Sequence, residues 1–415
     1  WDMKGRTTAW PPLVDGGRWV KWRGSNPRAN QHIIDQNEPM SACSAGNAGY
    51  LSEANIFPPA SLDILKQLPQ LMLAKDSPLI IQPTYLPQLL RWALPALKFN
   101  NEEKLNDIAT SMASLLRVAY SSFDELVTAA DATHLLDRKG GLVAYKTEAA
   151  LEKKSKNVGL WNSHGLNAEI VSSEDVSELE PALAPMAGGV YFPNAGRCLN
   201  PKSLGEHYFR RLLGAGARFV RRRVKAIDIG AENRPIVHFA DEEEAFSKIV
   251  ISTGFDKGLL QKFVNFNIPM VAERGYHLML PSPGVQLSRP IVFGEPMFAA
   301  TSMEHGLRLA GTAEFAFPTR EPNMERSFML LQMAKGYIPQ LSGEGAKPWM
   351  GVRPTLPDGR PAFGAVPDAP NVFYALGHGH NGLTTSAITA FCVSSLVREA
   401  TPPLNVQPFV VERFH

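Results

Sequence analysis

Apolar and polar positions along this chain change period several times, and each change marks an element. Gln31-His-Ile-Ile-Asp35 is a short apolar run ending on a carboxylate and predicts a strand. Leu62 to Ala130 is mostly of helical period, with Leu105, Ile108, Met112, Leu115 and Leu116 forming one apolar stripe. From Gly140 the texture shifts to strands, at Gly140–Thr147, Asn167–Ile170 and Gly188–Phe192, with a helix start at Thr147. Leu204 to Leu213 predicts an amphipathic helix closed by Gly214 and Gly216, followed by strands at Arg218–Val220, Val224–Ile229 and Lys248–Gly254. A β-rich stretch runs from Val271 to Phe315, then a helix from Asn323 to Tyr337. The tail reads strand (Val372–Ala375), glycine turn (Gly377-His-Gly-His-Asn-Gly382) and helix (Leu383–Val397). Strands alternating with helices at both ends of a β-rich middle predict an α/β chain, a doubly wound domain interrupted by insertions. Trp1 to Asn30 shows neither period.

Composition narrows the class. A chain of 415 residues is long enough for two or three domains, and 44% hydrophobic with 20% charged residues is ordinary for a globular core. With 42 basic against 40 acidic residues the net charge is +2, so no broad field recruits nucleic acid. Cys43, Cys198 and Cys392 lie far apart without a CxxC pair, which argues against a disulfide framework or a zinc site and fits a reducing, cytoplasmic setting. No signal-peptide pattern and no run of about 18 apolar residues is present. The apolar segment from Ser77 to Phe99 is broken by Pro83, Pro87, Arg91 and Pro95. It predicts a buried or surface helix pair, with a peripheral membrane-docking surface as the alternative.

Two segments carry candidate chemistry. In the tail, glycines remove Cβ atoms just before a helix that has no charged residue between Leu383 and Val397. Such a helix start offers unpaired N–H groups and a partial positive charge to an electron-rich ligand edge. The alternative is a tight strand–helix turn. In Trp349-Met-Gly-Val-Arg353-Pro, the arginine stands among apolar residues and turns inward. A buried guanidinium requires an anion: a ligand carboxylate, which matches its planar fork, or an internal Asp or Glu.

The order of the segments adds more. The strand ending in Asp35, Ser44-Ala-Gly-Asn47-Ala-Gly49, Gly188–Pro193, Asn200–Leu204, Val224, Ile251–Gly254, Arg274-Gly-Tyr-His277, Leu307–Gly311, Gly351–Pro354 with Pro357–Gly359, and the glycine turn occur in sequence. This series resembles the FAD-dependent D-amino-acid oxidase, glycine oxidase and sarcosine oxidase family, with the bacterial D-amino-acid dehydrogenases the nearest subgroup, from about Gln31 to the C-terminus. The resemblance implies a fold of class α/β, with an FAD-binding Rossmann-like doubly wound domain (residues 1–52, 195–265 and 345–415). A substrate domain (53–194 and 266–344) would be α+β with a mostly antiparallel sheet. It implies FAD as cofactor and a small, D-type amino acid as substrate. Hydride would pass from Cα to flavin N5, with a quinone or O₂ as electron acceptor; glycine- or sarcosine-type oxidation using O₂ is the alternative. Peripheral contact at the inner face of the cell membrane and homo-oligomer formation stay open.

Residue by residue, the resemblance places Asp35 and Gln36 at the adenosine ribose, and Ser44, Asn47 and Gly49 near the pyrophosphate and isoalloxazine. Val224 falls at the adenine, and Thr253 and Gly254 at the ribose and pyrophosphate. Gly379, Asn381, Gly382 and Leu383 fall at the pyrimidine side of the flavin, where N–H groups stabilise charge on its N1–C2=O edge. Arg353 matches the arginine that pairs with the substrate carboxylate. Tyr276 and His277 fall where the substrate domain approaches the site; Tyr276 is equally a packed aromatic. Two departures stand out. The family's GxGxxG turn is not recognisable in Leu13–Asn30, where Gly16 and Gly17 adjoin and Pro27 breaks the following helix. Either a reading-frame error upstream or a real loss of tight flavin binding accounts for that. Secondly, Met297-Phe298-Ala299 stands where glycine oxidase carries a carboxylate-gripping tyrosine.

Overall fold

The computed structural model describes residues 31–59, 78–99 and 101–415. Its largest feature is a nine-stranded sheet that runs from Glu169–Val171 through Gly188–Phe192, Gly141–Tyr145, Ile291–Phe293, Phe298–Met303, Gly306–Phe315 and Val271–Leu280 to Lys347–Thr355. Leu79–Ile81 adds to it in parallel beside Gly306–Phe315. Most neighbours in this sheet are antiparallel; Ile291–Phe293 and Gly141–Tyr145 pair in parallel. The strand Lys347–Thr355 pairs with Val271–Leu280 along its whole length, so the sheet reaches past the boundary expected at residue 344.

Smaller sheets carry the other half. His32–Asp35 pairs in parallel with Arg218–Arg221, and Ile249–Ile251 in parallel with Ala369–Leu376. The helix Gly382–Val397 lies against that second sheet and the long helix Glu102–Ala129. Ile388, Cys392 and Val393 share one core with Ile108, Met112, Leu115 and Leu116, the stripe expected from the sequence. Asn101 caps the long helix by accepting from Lys104 N–H, and Thr147 caps the helix Glu148–Ser155 through Ala150 N–H.

Between Pro78 and Phe99 the chain forms the strand Leu79–Ile81 and the helix Leu86–Leu97 rather than a helix pair. That helix buries Leu89, Trp92 and Ala93 against Val271 and Phe315, and exposes Leu90, Leu94 and Leu97. Among the described residues no helix is long and apolar enough to cross a membrane.

Strand alternation divides the core of the large sheet into two faces. On one face Leu278, Leu280, Leu307 and Leu309 pack with Leu330, Leu331 and Ala334 of the helix Glu325–Lys335. The other face looks onto a cavity. Opposite Gly275 and Tyr276, the strand Gly306–Phe315 carries one extra residue, Thr312, at φ +54°, where the register shifts. Such a bulge reverses the facing of whatever follows it. As a result Glu314 lies beside Arg274 on the helix-covered face, and Phe315 lies beside Glu273 at the cavity.

Candidate active site

Three elements enclose a cavity of about 760 Å³, a size that suits a cofactor-sized ligand. The first is the loop 43–57, of which Ser44, Gly46, Asn47, Ser52 and Asn55 line the wall. The second is the C-terminal turn and helix start, Gly377 to Thr384. The third is the open face of the large sheet, with Glu273, Gly275, His277, Trp349, Gly351, Arg353 and Thr355.

Cross-strand register fixes the third wall. Glu273 pairs with Arg353, Gly275 with Gly351, and His277 with Trp349. The two central glycines leave room that their neighbours fill: a Cβ on Gly275 would stand 2.2 Å from Arg353 Cζ, and one on Gly351 2.2 Å from the Trp349 ring. The Trp349 indole also covers Gly46 of the loop and stacks on His277, with ring centroids 4.7 Å apart at 14°. His277 Nδ1 lies 3.0 Å from the Gly46 carbonyl, and because a carbonyl only accepts, Nδ1 carries the proton. Burial, with Arg308 nearby, lowers its pKa to about 3, so the ring is neutral at working pH. Arg308 donates through Nη1 to the Asn47 carbonyl and holds the loop from behind.

Arg353 turns inward, and both partners foreseen for it have a place. Its Nη1 donates to Glu273 Oε1 at 2.9 Å, an internal carboxylate, while the side chain keeps 24% of its surface and lines the cavity. His380 Nε2 lies 3.0 Å from the same oxygen, and Thr355 Oγ1 donates to Glu273 Oε2 at 2.8 Å. Burial alone would raise the pKa of Glu273, but His380 and Arg353 hold it well below the usual carboxylate range. The acid is ionised.

At the C-terminal turn Gly377 and Gly379 take φ of +71° and +49°, values an L side chain rarely adopts. The helix Gly382–Val397 starts with no side chain capping it. Asn381 is occupied in a reciprocal pair with Asn55, each amide donating to the other residue at 3.2 Å. The first N–H groups of this helix therefore face the cavity without a capping side chain, as an electron-rich ring edge requires. This start, the cavity volume and the backbone-lined loop fit an isoalloxazine. FAD bound here would be held by the 43–49 loop, Gly254 and the 379–383 turn.

The expected cofactor residues divide. Ser44, Asn47, Gly254, Gly379, Asn381, Gly382 and Leu383 line the cavity. Asp35, Gln36, Val224 and Thr253 stand elsewhere; Asp35 ends the strand beside Arg221 and accepts from Asn37 N–H. Gly49, at φ +71°, shapes the loop behind the wall, where a Cβ would meet the Cys198 carbonyl at 2.5 Å. The Leu13–Asn30 stretch lies outside the described residues.

Of the two residues expected beside Arg353, only His277 presents its side chain to the cavity. The Tyr276 side chain is turned to the opposite face, where its hydroxyl reaches the buried Glu314 at 2.5 Å and accepts from Asn323 N–H. Neighbouring strand residues face opposite ways, so a site on one face takes one of the pair. The Phe298 ring packs against Phe293 and Tyr337 in the core. Glu273 and His380 were missed from the sequence, although Glu273 adjoins the Arg274–His277 motif and His380 lies within the glycine turn.

A backbone-lined cavity between a glycine-rich loop and an uncapped helix start, with an arginine on the facing sheet, defines a flavin-dependent oxidoreductase architecture. The chain matches the model of the FAD dependent oxidoreductase family DAO over residues 29–396 and belongs to that family. It is 30% identical over 396 residues to a D-amino-acid oxidase of Bradyrhizobium diazoefficiens, covering 92% of both chains. It is 27% identical over 405 residues to a D-amino acid dehydrogenase of Vibrio atlanticus, covering 92% of this chain and 93% of that one. Among solved structures, glycine oxidase from Geobacillus kaustophilus superposes with a TM-score of 0.70 at 19% identity, over 92% of each chain, a likeness of fold. The chain is thus an FAD-dependent oxidoreductase of the D-amino-acid oxidase and dehydrogenase type.

Proposed function

We propose that this protein oxidises a D-amino acid at Cα, with the substrate carboxylate on Arg353 and the amino acid lying between the large sheet and the C-terminal turn. The observation that carries this reading is the position of Arg353: held by Glu273, partly open, and on the cavity wall facing the uncapped helix start. Bound FAD supplies the hydride acceptor. The guanidinium edge not engaged by Glu273 fixes the carboxylate and so the orientation of Cα, and orientation of this kind accounts for much of such a barrier. The flat Gly275–Gly351 floor lets the backbone and the Arg353 fork, rather than a bulky side chain, define the substrate plane. Neutral His277 donates its Nδ1 proton to the Gly46 carbonyl and keeps the loop closed over the site. No side chain is assigned as a dedicated acid or base. The electron acceptor is O₂ or a quinone.

The test is turnover of a panel of D- and L-amino acids by the FAD-loaded protein, read both as hydrogen peroxide in air and as reduction of a quinone-like dye without O₂. Oxidation of D- but not L-amino acids in either assay supports the reading; bleaching of the flavin by L-amino acids alone would overturn it.

A further inference from the structure

Glu273 is a feature that the proposed reaction does not itself require. Among the described residues it is the sole carboxylate that lines the cavity, and it sits on the substrate wall directly across the strand pair from Arg353. Three contacts hold it there: Arg353 and His380 on Oε1, and Thr355 on Oε2. A buried acid tied on both oxygens cannot swing aside to make room for a second anion. The charge of Arg353 is already offset by this partner, so the wall offers one carboxylate a guanidinium edge and offers a second one only repulsion. The surfaces next to the pair are apolar: Phe315 is the cross-strand neighbour of Glu273, Trp92 donates through Nε1 to the Thr355 carbonyl, and Leu79 and Leu89 complete the lining. Lys154, also on the lining, comes from the helix Glu148–Ser155, which packs on Gly141–Tyr145 and Gly188–Phe192 rather than on the strands carrying the pair.

We infer that Glu273 is a specificity-determining residue: it turns away amino acids with a second carboxylate and reserves the site for those with uncharged, apolar side chains. This deepens the function proposed above and rests on it. Specificity here comes from a repulsive element built against the wrong substrate as much as from contacts to the right one. Like charges a few ångströms apart in a partly desolvated pocket cost enough to separate two substrates by about tenfold or more.

The test compares wild type with Glu273→Gln, which keeps the shape and loses the charge. The ratio of kcat/KM for D-glutamate to that for D-leucine is measured in each, with FAD absorbance and thermal melting confirming folded holoenzyme. A rise of about tenfold or more in that ratio is expected; an unchanged ratio in a folded, FAD-loaded variant overturns the inference. A second arm needs neither the variant nor turnover: butanoate and glutarate are titrated into wild-type holoenzyme and followed by perturbation of the flavin spectrum. Butanoate should bind more tightly, and glutarate binding as tightly or more tightly would overturn the inference even if Glu273→Gln failed to fold. Absence of oxidation of any D-amino acid, with butanoate still preferred over glutarate, would instead count against the proposed reaction alone.

Discussion

Substituting Gly275 by alanine tests the site at one atom. The new Cβ would stand 2.2 Å from Arg353 Cζ, 2.2 Å from Nη2 and 2.4 Å from Nη1. Non-bonded carbon contacts settle near 3.5–4.0 Å, so the guanidinium must withdraw by about 1.5 Å. A shift of that size is enough to break the 2.9 Å bond to Glu273 and move the edge offered to the substrate. Gly275 is not among the positive-φ glycines, so its backbone accepts alanine and the damage is confined to the side chain above it. A charged hydrogen bond is worth about 1.5–3 kcal/mol, which corresponds to a rise in KM of about 10- to 100-fold. Steady-state kinetics on a D-amino acid, with the melting temperature as a control, give the answer; kcat should fall less than KM rises. A folded, flavin-loaded Gly275→Ala protein with KM within about twofold of wild type would refute the placement of Arg353 as the carboxylate anchor.

Other expectations follow from the same geometry. Arg353→Lys replaces a fork by a point charge and should raise KM by about tenfold or more, with Arg353→Ala worse; an unchanged KM in Arg353→Ala removes the residue from binding. Tyr276→Phe strips a partner from the buried Glu314 and should lower stability by about 1–3 kcal/mol in denaturant unfolding while leaving KM alone, since its hydroxyl faces away from the cavity. His277 is buried with its folded pKa lowered to about 3, so below about pH 6.5 the unfolded chain binds a proton that the folded chain does not. Its contribution to stability therefore falls with pH, by about 1.4 kcal/mol per unit between about 6.5 and 3, and His277→Phe should flatten the pH dependence of unfolding over that window. Gly46→Ala would drive a Cβ to 2.2 Å from the Trp349 ring, and the purified protein should carry less FAD per chain, read from its absorbance.

The sequence carried the fold well where period and punctuation agree. The helices Pro201–Gly214, Glu325–Lys335 and Gly382–Val397 and the strands Gly188–Phe192 and Ala369–Leu376 lie where the apolar pattern predicts them. Arg353 was legible because a guanidinium among apolar residues must find an anion. Glu273 was not: it stands in Val271-Ala-Glu-Arg-Gly-Tyr-His277, where alternation says that Glu273 and Arg274 face opposite ways but not which of them meets the cavity. Partner strands decide that, and their register is invisible in local pattern. The same ambiguity made Tyr276 and His277 look equivalent. The strand Lys347–Thr355 was missed because its glycine and prolines hide the β period, although Pro348 and Pro354 both stand in the observed pairing with Val271–Leu280.

Thr312 gives this pocket a means of changing its chemistry through chain length instead of residue type. Deleting that one residue would turn over the end of its strand. Glu314 would then project among the substrate-facing groups, and Phe315 would be driven toward Arg274 under the helical layer. An insertion or deletion at this point is thus worth two simultaneous substitutions, and relatives that differ by one residue here should differ in the charge of the substrates they accept.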